Sequence, residues 1–325
     1  MKIKILMIIV LLSFGTVKNL NAQCPHTPKC VFDSCYYGGA GTEIEPYQIW
    51  SKEHLEELAD SVNNGVHWSA GKYFKVMNDI TDPLGISIGY EYWQSSAPHL
   101  QMYSRTFQGN FDGQGYTIRL EMNGLARAGL FGTITAITTD IEIKNIVIDG
   151  IVNGNVAGGI AAVAGGVAAI HMLEPKMISM SNLINNAKIS SIGGDDIAGG
   201  IIGYANKRVT ASACINLGTV NGGYATGGII GFIYANAVQW NAESPHEIII
   251  NECSNHGFIQ GNNGVGGISG RILHLYDFST VTILNNYSSG VVVGTSNVGC
   301  IIGIIQGDAT LLNNHYDKQM CGEED

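Results

Sequence analysis

Cys214-Ile215-Asn216-Leu217-Gly218 is followed by Gly227-Gly228-Ile229-Ile230-Gly231, and the same two landmarks return as Cys253-Ser254-Asn255-His256-Gly257 and Gly266-Gly267-Ile268-Ser269-Gly270. Weaker copies of the first landmark start at Ile146, Leu183 and Asn286. The glycine anchor recurs as Gly158-Gly159, Gly199-Gly200 and, degenerate, Gly299-Cys300, with Gly129-Leu130-Phe131-Gly132 as an earlier cousin. Asn314-His315-Tyr316-Asp317 opens a last copy that does not complete. A period of roughly 30–40 residues is the signature of units that stack on their neighbours. Within each unit the apolar runs are about three to six residues long and rich in Ile and Val, which suits strands and not helices. The expected fold is all-β: a right-handed parallel β-helix, or solenoid, with a short N-terminal capping α-helix. A propeller is the rival, but its blades need four clear strands per roughly 40–50 residues, and these units are too short and uneven.

Each landmark has an expected job. The Gly-Gly pairs are expected to supply positive-φ corners. The recurring Asn is expected to form a stacked ladder that satisfies backbone groups at a turn. Cys214 and Cys253, at equivalent positions, are expected to stack as buried small residues. The spacing is uneven in an informative way. From the first landmark to the anchor it is nearly constant, whereas the gap after the anchor varies widely and holds Val163–Asn182, Phe232–Glu252 and Arg271–Asn285. Insertions at one place in a repeat emerge on one edge of a solenoid. These three should therefore line one flank, where binding usually lives on loops held by a rigid scaffold.

Charged residues make up 14% of the 325, glycine is abundant at 43 and proline scarce at 7, which fits a β-solenoid better than a disordered chain. Residues 1–22 read as a signal peptide: Lys2 and Lys4, an apolar Ile5–Phe14 too short to span a membrane, and a cleavage site near Ala22. This implies a secreted or cell-surface protein with no integral membrane segment in the mature chain. Removing Lys2, Lys4 and Lys18 leaves 17 − 3 = 14 basic against 27 acidic residues, a net charge of −13. Such a surface repels nucleic acid, and binding of an acidic polysaccharide would need a local basic patch that the sequence does not display. An exported compartment permits disulfides. Residues 23–42 form a Cys-rich segment containing Cys24, Cys30 and Cys35, and the odd total of 7 cysteines leaves at least one thiol free. No paired Cys/His spacing suggests a metal, and no cofactor is expected.

Residues 43–80 read as an N-terminal cap, 81–318 as the β-helix repeats and 319–325 as an acidic tail. Ser51–Asn64 is the one good helix, with Ser51 as N-cap, an apolar stripe of Leu55, Leu58, Ala59 and Val62, and Asn64-Gly65 as its stop. Strands are expected at Lys72–Met77, Arg105–Phe111 and Tyr116–Met122, with a tight turn at Phe111-Asp112-Gly113-Gln114-Gly115.

Several of these segments also occur in a particular order. Gly41-Thr42-Glu43, Pro46-Tyr47-Gln48-Ile49, the helix, Gly71-Lys72-Tyr73-Phe74-Lys75 and Asn78-Asp79-Ile80 resemble the N-terminal module of bacterial GLUG-motif proteins. Phe107 to Ile118, Gly129-Leu130-Phe131-Gly132 and the Gly-Gly-Ile-x-Gly repeats are similar to that family's later signatures, so the resemblance spans about Gly39 to Asp317. It implies a secreted or surface-exposed, adhesin-like β-helix and carries no catalytic residues over. The Cys-rich start, Ala162 and Ala187 in place of repeat glycines, and Cys300 in place of an anchor glycine depart from the pattern.

Binding candidates are the aromatic residues of a longer loop after Ile86-Ser87-Ile88-Gly89, namely Tyr90, Tyr92 and Trp93 with Tyr103, and Trp240 in one of the long edge loops. Aromatic side chains bury much area at little entropic cost and stack on sugar rings. Packing down onto the barrel is their other role. An enzyme has to be weighed, because parallel β-helices include polysaccharide lyases and hydrolases. Asp195-Asp196, His256-Gly257 and Arg271-Ile272 echo pieces of polygalacturonase-like enzymes, but the Asn-Thr-Asp piece is missing. The reading is an exported, non-enzymatic adhesin-like protein that binds a glycan or a host or cell-surface protein through one edge of loops. The alternative is a polysaccharide-cleaving β-helix enzyme.

Overall fold

The computed structural model describes residues 38–96, 99–166, 176–193, 196–235, 246–274 and 279–321, with backbone alone for 92–96 and 99–103. All of these fall within one compact unit, Tyr36–Asp325. The signal-peptide stretch, Cys24, Cys30, Cys35, Asp195 and Trp240 lie outside the described residues.

The path of one coil shows the whole plan. The chain runs along Arg208–Ser212, bends at Ala213, and continues through Ile215–Asn216, Val220–Gly222 and Ala225–Gly227 before crossing to Ile230–Ala235. It re-enters at His246–Asn251, directly beside Arg208–Ser212, with Val209 opposite Ile248 and Ala211 opposite Ile250. Each further strand likewise pairs in parallel with its equivalent one repeat later. The result is a parallel solenoid with one long 21-stranded sheet and a second sheet of six strands. Two-residue strands such as Ser254–Asn255 could not stand alone. Here they persist because every edge is bonded to the coil above and below.

The inward positions are aliphatic and fill one continuous core. Val209, Ala211, Val220, Ile230 and Ile233 of this coil are all buried. In the early coils the core becomes aromatic. Phe74, Phe107 and Phe131 stack with ring centroids 5.7 and 4.6 Å apart, and Phe111 meets Phe131 edge-on at 5.4 Å.

The expected asparagine ladder is present. The buried Asn185 amide donates to Asn216 Oδ1 at 2.7 Å, and Asn216 donates to Asn255 Oδ1 at 2.7 Å. Asn255 reaches Ser288 Oγ at 3.5 Å, where the column ends. The same side chains bond the turn backbone, as in Ala187 N–H to Asn185 Oδ1. A second column runs beside it. Cys253 N–H donates to Asn286 Oδ1, and Asn286 in turn donates to Asn314 Oδ1. Cys214 and Cys253 stack at its head as buried free thiols, and burial raises the Cys253 pKa.

The corners are made differently from expectation. The anchor glycines do not have positive φ; they are needed because other backbone occupies the space of a side chain. A Cβ on Gly199 would lie 1.8 Å from Ile202 O, and one on Gly228 would lie 2.1 Å from Gly267 O in the next coil. Cys300 tolerates a side chain at this position because among the described residues no further coil stacks over it, and it is disulfide-bonded to Cys321. The positive-φ bend falls instead just before the first landmark, at Asn145, Asn182, Ala213, Glu252, Asn285 and Asn313, where asparagine is the favoured non-glycine residue.

At the N-terminal end the helix runs from Lys52 to Asn64 and buries Leu55, Leu58, Ala59 and Val62 against the core. Its last turn is tied to the first coil, since Asn63 donates to Ser87 O and accepts from Gly89 N–H. Ser51 occupies the N-cap position, although its side chain caps no backbone group. Tyr47–Ile49 and Tyr73–Val76, on either side of the helix, are paired strands of the long sheet. The loop expected after Gly89 is an antiparallel hairpin, Tyr90–Ser96 with His99–Arg105. It also corrects the strand expected at Arg105–Phe111, since the hairpin ends at Arg105 and the long sheet resumes only at Asn110.

The asparagine column can be tested directly. Asn216→Ala strands the buried Asn185 donor and the Gly218 carbonyl, so it should cost roughly 2–4 kcal/mol in urea unfolding. A loss below about 0.5 kcal/mol would show that the column is ornamental to stability.

Candidate functional site

The three long insertions leave the coil at one place. Each begins after a strand of the six-stranded sheet, at Ala161–Ala164, Ile230–Ala235 and Ser269–His274, and ends where the long sheet resumes, at Ile178, His246 and Ser279. These starting strands lie in one stack, and so do the resuming strands. The roots of all three insertions therefore sit on one flank, as the spacing predicts.

Beneath that flank lies the outer face of the six-stranded sheet. Register places Thr133, Val163, Tyr204, Phe232 and Arg271 in one column, each the residue directly after a small residue at the second strand position. Of this column Thr133, Val163 and Phe232 are buried, whereas Tyr204 and Arg271 are half-buried. The Tyr204 and Phe232 rings meet at 5.5 Å, Tyr234 stacks on Tyr204 at 6.2 Å, and Tyr224 meets Phe232 edge-on at 6.0 Å. The Arg271 guanidinium lies 4.4 Å over the Tyr224 ring and donates to Gln306 Oε1. The result is an aromatic strip of three half-buried tyrosines around the buried Phe232, with a cation at one end. Burial raises the Tyr204 pKa, so the phenol stays neutral.

The other end of the strip is held by the hairpin. Glu91, whose side chain is fully buried, accepts from Arg127 Nη1 at 3.1 Å, and the same nitrogen donates to Thr133 Oγ1 at 2.7 Å. A buried ion pair contributes little net stability but is costly to break from one side. This one fixes the hairpin base to the sheet. Lys207 and His246 lie close by, and burial lowers the pKa of both, that of His246 to about 4 with Lys207 adding to the shift.

The sequence candidates fall as follows. Tyr90, Tyr92 and Trp93 all sit on the first hairpin strand, with Tyr90 opposite Arg105, Tyr92 opposite Tyr103 and Trp93 opposite Met102. Tyr90 is half-buried, the side chains of Tyr92 and Trp93 are beyond the described atoms, and Trp240 is outside the described residues. Sequence reading missed Tyr204, Tyr224, Phe232, Tyr234 and the Glu91–Arg127 pair. The position after the third anchor glycine, as in Gly203-Tyr204 and Gly231-Phe232, was a usable signal for two of them.

The polygalacturonase-like pieces do not assemble. His256 lies beside the paired strand Ser254–Asn255 of the long sheet, whereas Arg271 is on the six-stranded sheet. His256 does form one nucleophile-like contact, with Nδ1 2.6 Å from Ser289 Oγ, but its other nitrogen meets Ser254 Oγ at 3.1 Å and not a carboxylate. His256 is exposed and Ser289 half-buried. Separately, a groove of about 290 Å³ near the N-terminal end is lined by Ile44, Pro46, Lys75, Asp112, Glu142 and Lys144. Glu43 lines it too, so three carboxylates stand against two lysines. Lys144 bonds Glu142 at 2.5 Å, and this contact, more than the nearby Asp112 and Glu43, raises the Lys144 pKa. Among the described residues no group of three or more His, Cys, Asp or Glu could hold a metal ion, and no helix is long and apolar enough to cross a membrane.

The architecture defines an all-β protein of the parallel-solenoid class. A crystal structure described as a "putative immunoglobulin A1 protease" from Bacteroides ovatus is similar to it, with a TM-score of 0.57 and 19% sequence identity over 86% of this chain and 77% of that one. At that identity the likeness concerns the fold. No family model and no curated protein matches the chain.

Two outcomes follow from the buried charges. Arg127→Leu leaves Glu91 buried without its guanidinium and should cost about 3–5 kcal/mol, while adding Glu91→Gln should recover part of the loss, as read by thermal or urea unfolding. For His246, the unfolded chain binds a proton near pH 6.5 and the folded chain only near 4. The unfolded state thus holds more protons in that window, and stability falls as pH drops through it. His246→Gln should flatten the stability profile between pH 6.5 and 4 and leave it unchanged above pH 7.

Proposed function

We propose that this chain is a non-enzymatic, adhesin-like β-helical protein, secreted or held at the cell surface, that binds a glycan or a surface protein through its insertion-bearing flank. The carrying observation is the coincidence on one flank of three insertion roots, a hairpin and an aromatic strip. Stacked aromatic faces of this kind suit sugar rings and apolar side chains, and the coil beneath them is rigid enough to hold a site without ordering cost. Within this reading the coil is right-handed, as crossovers between parallel strands almost always are. Residues 1–22 are the export signal, and the order of motifs makes the chain a relative of GLUG-motif proteins. The binding residues in this reading include Tyr90, Tyr92, Trp93 and Trp240, as the sequence suggests.

A hydrolytic role is the second reading. It draws on the Ser289–His256 contact and on the protease description of the Bacteroides ovatus protein. Against it stand the exposed setting of His256 and the hydroxyl where an orienting carboxylate belongs.

A binding screen against glycan and surface-protein arrays separates these readings. The wild type should bind at least one class of array member, Trp93→Ala/Trp240→Ala and Tyr224→Ala should each lose about tenfold or more, and Leu217→Ala, exposed elsewhere, should match wild type. Absence of binding to both arrays would sink the proposal, and shortening of array molecules abolished by Ser289→Ala would replace it with the hydrolase.

A further inference from the structure

Arg271 ends the aromatic strip without a counter-ion. Arg127 meets Glu91 at the hairpin, and Arg208 meets Glu247 beside the root of the second insertion. The Arg271 guanidinium meets no carboxylate. It lies 4.4 Å over the Tyr224 ring, its one hydrogen-bond acceptor is Gln306 Oε1, and its Nε is buried with no acceptor at all. Counter-ions are not scarce in this chain, which holds 27 acidic residues against 17 basic ones. The plane of the guanidinium is also fixed. Tyr224 holds one face and Gln306 takes part of one edge. The turn carrying Tyr224 is itself anchored, since Tyr224 N–H donates to Asp196 O and Asn263 N–H donates to Gly223 O. Gln306 is exposed, so this edge of the guanidinium opens to water. An arginine held flat in this way offers its unused N–H groups as the fork that matches a planar carboxylate.

Beside that fork the surface is a row of rings, with Tyr224, Phe232, Tyr204 and Tyr234 following one another at 6.0, 5.5 and 6.2 Å. The three tyrosines are half-buried, so each keeps part of a ring face and a hydroxyl within reach of a ligand. Apolar faces rimmed by neutral hydroxyls suit sugar rings. An acidic peptide would fit less well, because extended peptides dock by adding a strand to an open sheet edge. The strands here, from Ala161–Ala164 to Ser269–His274, are each paired on both sides.

We infer that the strip takes a glycan containing a carboxylated sugar, with the carboxylate held by Arg271 and the adjoining rings by the tyrosines. This names the ligand class of the proposed binding flank and rests on that reading. The sequence displays no basic patch for an acidic polysaccharide, and the fold supplies one fork and not a patch. The net charge of −10 opposes polyanions. The ligand is therefore a glycan with an isolated acidic sugar among neutral ones, and not a polyuronate.

The test is binding of the full chain to matched oligosaccharides that carry, at one place, a hexuronic or sialic acid, the methyl ester of that acid, a neutral sugar or a sulfate. The wild type should bind the acid at least about tenfold more tightly than its ester. Arg271→Gln should abolish that preference and keep weaker, ester-like binding to the rings. Arg271→Lys should recover only part of the preference, because an ammonium offers no planar fork. Arg208→Gln, whose charge is already met by Glu247, should match wild type. The acid-to-ester ratio separates the two roles of Arg271, since a purely structural clamp on Tyr224 would leave the ratio unchanged. Should a variant misfold, equal binding of acid and ester by the wild type still decides against the inference. Preference for sulfated or neutral sugars, or binding confined to acidic peptides, would equally overturn it. Binding of neutral glycans that is lost in Tyr224→Ala would overturn this inference alone and leave the proposed function standing, whereas binding to no glycan and no surface protein would remove both.

Discussion

Repeats in this protein are held in register by polar side chains that have nowhere else to go. Asn185, Asn216 and Asn255 are buried in successive coils, and each satisfies itself on the next. A slip of one residue would leave buried amides without partners, a cost of about 1–3 kcal/mol for each group. Aliphatic stacking alone is far more forgiving, because Ile over Val and Ile over Ile are nearly equivalent. The column therefore sets the register that the aliphatic core then fills. The parallel strand pairs, some only two residues long, depend on that register being right.

Close vertical packing explains where variation is allowed. At the anchor glycines, backbone from the same or the next coil occupies the space of a Cβ, so that side of the rung admits neither larger residues nor extra length. All three long insertions leave beyond the six-stranded sheet. The hairpin uses a different opening. It interrupts the six-stranded stack between Ile88, which bridges Phe131, and Phe107, which bridges Ile134. It is then fixed down by the Glu91–Arg127 pair and the Asn63 contacts of the capping helix. The variable parts of the molecule thus converge on one flank because the rest of the coil cannot accommodate them.

The same stacking makes the last coil different in kind from those before it. At Cys300 no backbone of a further described coil fills the space of a side chain, and the Cys321 disulfide occupies it instead, while Val298, Ile305 and Leu311 of the last described coil lack the cover that earlier coils give one another. Solenoids generally close their ends with atypical, polar-faced elements. Here the N-terminal helix does so, whereas the described C-terminal end does not.

Much of this was legible in the sequence because stacking imposes a period. The recurring Asn, the glycine pairs, the helix stripe Leu55-Leu58-Ala59-Val62 and the unequal gaps predicted a parallel coil, its ladder, its cap and the flank of its insertions. The reason for the glycines was not legible. Positive φ and lack of room for a Cβ leave the same residue in the sequence, and only the distances to Ile202 O and Gly267 O tell them apart. The aromatic strip was hidden for a similar reason. Tyr204, Phe232 and Arg271 are separated by roughly one repeat each along the chain and become neighbours only through register. Glu91 and Arg127, 36 residues apart, likewise meet only because a hairpin folds back over the sheet. The sequence by itself determined what repeats, since periodicity is a property of the chain. The tertiary structure alone decided which outward side chains share a surface, since that depends on which coils stack on which.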